Sequence, residues 1–101
     1  MGNNYENLKQ VREVLVSSKM GITNMYVEEK NLEDNEIKLF IELDKTEYPG
    51  HSISVFISDS ILHNTSYYDV KLEFLYKQDE NKIKEIKEKY LRIGINSNGY
   101  N

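Results

Sequence analysis

The stretch HSISVFISDSILH, residues 51–63, admits two secondary structures, and the choice between them sets the fold. Ile53, Val55 and Ile57 alternate as the buried face of a strand does. A strand there leaves Ile61 and Leu62 stranded in a ten-residue connection. With a helical period, Ile53, Phe56, Ile57 and Ile61 fall at i, i+3, i+4 and i+8. A helix absorbs both stranded residues, but it puts Val55 and Leu62 on its back face and uses many poor helix formers. The balance tips toward a helix over about 51–63, with the strand left open. Just before it, Tyr48-Pro49-Gly50-His51 has proline and glycine where a type II turn wants them.

Working outward, the neighbouring elements are less ambiguous. Upstream, Ile37, Leu39, Ile41 and Leu43 alternate with Lys38, Phe40 and Glu42, which predicts a strand over 36–44. Residues 22–30 are rich in strand formers, and the short polar stretch Asn31 to Asn35 joins the two strands as a hairpin. Before them, Tyr5, Leu8, Val11 and Leu15, with Val14, mark an amphipathic helix over 4–20. Asn3 or Asn4 can cap its start, and Gly21 suits the left-handed residue that closes it. Downstream, Val70, Leu72, Phe74 and Tyr76 share one face of a strand over 69–77. Ile83, Ile86, Tyr90 and Ile93 stripe a helix over 79–93. It is supported by the i,i+4 pairs Glu80–Lys84, Glu85–Lys89 and Glu88–Arg92 and is closed by Gly94.

The expected architecture is therefore α+β, in the order α-β-β-(α or β)-β-α. It is a small antiparallel-based sheet of three or four strands with helices packed on one face. If 51–63 is helical, residues 36–77 form a crossover unit, which is right-handed by rule. Residues 1–95 read as a single domain and 96–101 as a flexible tail.

Composition bounds the function more by exclusion than by assignment. The 101 residues are 39% hydrophobic and 30% charged, with a net charge of −4, which suits one folded domain. Alanine, tryptophan and cysteine are absent, and Asn, Lys, Ile and Tyr are abundant. That usage follows AT-rich codons and points to a bacterial or mobile-element gene. The acidic balance argues against a domain that lives by neutralising phosphates, and so against nucleic acid. It also disfavours a polybasic membrane binder. Without cysteine there is no disulfide framework, thiolate catalysis or cysteine-held metal. No segment has the ~18 consecutive apolar residues of a spanning helix. As written the chain carries no export signal and reads as cytoplasmic, and an extracytoplasmic origin stays open for a trimmed chain.

Motifs for catalysis are equally sparse. His51 and His63 are the two histidines, and neither has a metal-type spacing. The serines of 52–66 lack a nucleophile-elbow context, and the glycines form no phosphate-binding loop. No cofactor or metal is expected. A helix-strand-strand-strand-helix order raises the double-stranded RNA-binding domain as a topology. Such a domain needs a lysine cluster where this last helix begins with Asp79-Glu80.

Two surface features remain. Glu33, Asp34 and Glu36 form an acidic hairpin, a solvated tip or a patch for a basic partner. Opposite the presumed core, Tyr26, Phe40 and Leu75 form a cross-strand apolar row, with Tyr67 and Tyr68 nearby. Such a row needs an explanation. It is either an interface for a protein partner or a homodimer, or it is covered internally by a helix or by the loop 59–68. The expected function is a small non-catalytic interaction module, such as an inhibitor, an immunity-type protein or an accessory domain. One alternative is a ligand-sensing domain with an apolar cavity between sheet and helices. Another is a minor enzyme using Asp59, His63, Tyr67 and Tyr68.

Overall fold

The computed structural model describes residues 2–28 and 35–95. Glu33 and Asp34 of the acidic hairpin and the tail 96–101 lie outside the described residues. The element order is α1 (Gly2–Ser18), β1 (Ile22–Val27), β2 (Glu36–Leu43), α2 (His51–Asn64), β3 (Asp69–Leu75), α3 (Glu80–Lys89) and β4 (Leu91–Gly94). The segment 51–63 is a helix, so the fold is the α+β architecture expected, with one strand more. The four strands lie in the order β3-β2-β1-β4. β1 runs antiparallel to both β2 and β4, whereas β2 and β3 are parallel, joined through α2.

Local chemistry explains the element boundaries. α1 ends where Lys19 enters the left-handed region at φ 53°, and Gly21 follows at φ 79°. A β-bulge between Ile22 and Asn24 then shifts the register against β2. This extra residue turns Ile22 into the core and Asn24 to the opposite face, although both numbers are even. Gly50 enters α2 at φ 113° and ψ 155°. That conformation is essentially restricted to glycine, and it is not the type II turn that Pro49-Gly50 suggests.

The larger core lies between one sheet face and α1 with α2. Met25, Val27, Ile37, Leu39 and Ile41 from the sheet meet Val11, Leu15, Ile57 and Ile61, all at most 1% exposed. Within α2 the core-facing stripe is the buried Ile57 and Ile61 with the partly buried Ile53, and Phe56 falls outside it at 61% exposed.

The other face carries α3, which corrects the expectation that the helices share one face. The reason is a crossing with one free face: α1 and α2 already cover the first face. β3 and β4 are the two edges of the sheet, so the chain leaving β3 must cross β2 and β1 to reach β4. Three interstrand spacings of ~4.8 Å make about 14 Å. A ten-residue helix spans about 15 Å, so α3 fits the crossing.

The last helix also stops short of its predicted end. α3 closes at Lys89, Tyr90 is extended, and Leu91–Gly94 pairs with β1, placing Leu91 opposite Val27 and Gly94 opposite Asn24. Without β4 the outer edge of β1 would carry unpaired backbone groups. Arg12 of α1 clasps the new strand, its Nε donating to the Gly94 carbonyl at 3.1 Å.

Candidate functional site

The apolar row comes together under α3 as a second, smaller core. Tyr26, Phe40 and Leu75 are 0%, 6% and 0% exposed, packed against Ile83 and Ile86 with Tyr90 at the margin. Phe40 stacks on Tyr90 at 5.2 Å between ring centroids. These three residues are interior, which is the internally covered alternative of the two the sequence left open. The covering element is α3 rather than the loop 59–68. Tyr67 is interior as well, in the larger core, and of the five residues only Tyr68 is exposed.

Polar atoms at the end of the row form a small network. The Tyr26 hydroxyl donates to Glu42 Oε1 at 2.6 Å, and Asn24 Nδ2 donates to the same oxygen at 3.1 Å. Burial, followed by the hydrogen bond to Glu42, pushes the Tyr26 hydroxyl well above its ordinary range. Glu42 opens onto a cleft of about 430 Å³ between α3 and the ends of β1 and β2. Thr23, Asp44, Lys77, Lys84 and Lys87 complete much of its wall. Both carboxylates and ammonium groups line it, so the cleft offers pairing to both signs of charge.

The histidine region does not converge on a site. His63 is exposed, and its Nδ1 lies 3.3 Å from the backbone carbonyl of Asp59, one helical turn earlier. Tyr67 is buried below, and Tyr68 is 69% exposed. Among the described residues no group of three or more His, Asp or Glu could hold a metal, and no helix is long and apolar enough to cross a membrane.

The Tyr67 hydroxyl is buried with no hydrogen-bond partner among the described residues. Burial alone raises it from 10.0 to about 12. Tyr67→Phe should therefore stabilise the protein by about 1 kcal/mol at neutral pH, because a buried unpaired hydroxyl costs free energy. The margin over wild type should widen in alkali. Below pH 10.0 both folded and unfolded Tyr67 hold the proton, and between there and about 12 only the unfolded chain releases it. The contribution present below the unfolded pKa is thus lost as pH rises through the folded one. Urea midpoints of both proteins at neutral pH and at about pH 11 check this, and an unchanged or lowered midpoint for the variant contradicts it.

An exposed apolar surface lies elsewhere, on α2 and beside β3. Val55, Leu62 and Tyr68 are 42%, 37% and 69% exposed. Ile57 and Ile61 face the sheet, while Phe56, Ser60 and Asn64 line a groove shared with Glu13 and Ser17 of α1. By helical period Val55 and Leu62 then lie on the side turned away from α1. Measured from the sheet-facing stripe, they lie on the solvent-facing back of α2. Sequence reasoning held the clue, since the helical period already puts Val55 and Leu62 on the back of α2. No protein-family model, curated protein or solved structure matches this chain.

Proposed function

We propose that this chain is a small binding module that works through protein contacts, with the outer side of α2 and the adjoining β3 edge as its docking surface. The observation that carries it is the exposure of Val55 and Leu62 on α2 and of Tyr68 just before β3, whose edge has no strand partner among the described residues. Charge supports the same surface. α2 holds one carboxylate, Asp59, in 14 residues, in a chain that is 30% charged. Depletion of charge with retained apolar and aromatic side chains is the compositional mark of an interface core. A bacterial or mobile-element inhibitor, immunity-type protein or accessory domain would use such a surface.

The experiment compares wild type with Val55→Glu and Leu62→Glu for capture of proteins from the cells that express the gene. Both positions are exposed, so stability should shift by no more than about 0.5 kcal/mol and the circular dichroism should be retained. Loss of the captured partners in both variants is expected. Capture undiminished by either charge removes this surface from the function.

A further inference from the structure

We propose that the β3 edge pairs with the β3 edge of a second copy, antiparallel and centred on Leu72, to make one continuous sheet across a two-fold axis. This rests on the binding reading above and names the partner. β3 is Asp69–Leu75, read DVKLEFL, and it is an edge of the sheet. Antiparallel self-pairing about Leu72 sets Val70 opposite Phe74 of the second copy and Lys71 opposite Glu73 of the second copy. The two-fold repeats both pairs, and Leu72 meets itself. The five central positions of the strand then face compatible ones, apolar against apolar and ammonium against carboxylate, while Asp69 and Leu75 fall at the ends of the seam.

The charge pattern within one copy is incomplete in a way that the second copy completes. Lys71 stands opposite Lys38 in the β2–β3 ladder, two like charges side by side. Glu73 is drawn to the β2 and α3 side, where Lys38 lies 3.7 Å away and Lys82 donates a hydrogen bond. Lys71 is exposed and has no ion pair among the described residues. The second copy brings a carboxylate opposite it. An isolated edge lysine serves to discourage pairing, whereas one that finds a carboxylate in its own antiparallel image promotes it.

The flanks fit the same axis. A two-fold perpendicular to the sheet keeps both α2 helices on one side of the continuous sheet. Half-buried Val70 and Leu72 lie beneath them. An isologous interface of this kind closes after two copies and leaves the β4 edges outermost.

Light scattering after size exclusion, run over a dilution series, tests the pairing with two charge reversals. Wild type should move with concentration from 11.9 kDa toward twice that mass. Lys71→Glu puts two carboxylates in the register of each copy, and Glu73→Lys puts two ammonium groups there, so each variant alone should stay monomeric. Mixed together, the two variants should form a heterodimer, since every seam pair is again of opposite sign. Recovery in the mixture also shows that both variants are folded. A wild type that stays monomeric to millimolar concentration overturns the pairing. If it does so while Leu62→Glu still abolishes capture of a different protein, the pairing fails and the binding reading stands. Association that neither reversal weakens, or variants that do not recover on mixing, place any self-contact elsewhere and overturn the β3 seam.

Discussion

Phe40→Ala should cost the fold about 3–5 kcal/mol, the range for removing a buried aromatic ring. Phe40 is 6% exposed, stacked on Tyr90 and enclosed by Tyr26, Leu75, Ile83 and Ile86. Truncation removes both an apolar contact that holds α3 to the sheet and the ring pairing itself. A domain of this size has about 5–15 kcal/mol in total, so the loss is at least about a fifth of it. Urea unfolding followed by circular dichroism measures it. An exposed docking residue at this position would cost no more than about 0.5 kcal/mol. A midpoint within that margin of wild type would mean that α3 does not cover the row.

Ile61→Ala carries the next largest expected effect, about 2–5 kcal/mol. Ile61 is fully buried in the larger core, whereas its neighbour Leu62 is 37% exposed. Leu62→Ala should cost far less, because much of that side chain already meets water. The pair discriminates the two structures available to residues 51–63. A strand over 53–57 would leave both residues in a connecting loop, with similar small effects. A helix separates them by its period of 3.6 residues, so adjacent positions fall on different sides. Equal urea midpoints for the two variants would contradict α2.

Much of the fold is legible because hydrophobic period is a local signal. Ile37, Leu39, Ile41 and Leu43 alternate, and Val70, Leu72 and Phe74 do the same. Val11 and Leu15 lie one helical turn apart. Those patterns state which side of each element is apolar, and all of these residues lie on the larger core. The same logic reaches α2, though Phe56 misleads it. Phe56 matches the helical stripe by spacing and sits at the rim of the α1–α2 groove, because α1 rather than the sheet lies on that side.

What local period does not encode is which element covers a face, and the site depended on that. Tyr26 and Phe40 mark a second apolar face on β1 and β2, and a free surface and an α3-covered one have the same sequence pattern. The path of the chain decides between them: β3 and β4 are opposite edges, so α3 must cross the sheet, and α1 and α2 already cover the other face. Leu91–Gly94 shows the same division. Ile93 continues the helical stripe and Glu88–Arg92 is a sound i,i+4 pair, yet the segment is a strand. A long-range demand outweighs these local ones, since the outer edge of β1 needs hydrogen-bond partners and β4 supplies them.

The sequence by itself therefore determined α1, the first three strands, the apolar sides of those strands and the inclination of 51–63 toward a helix. Each of these follows from side chains within a few residues of one another. The tertiary structure alone decided that Tyr26, Phe40 and Leu75 are interior and that β4 exists. Burial and edge pairing depend on neighbours brought together from distant parts of the chain, and one element's periodicity carries no record of them.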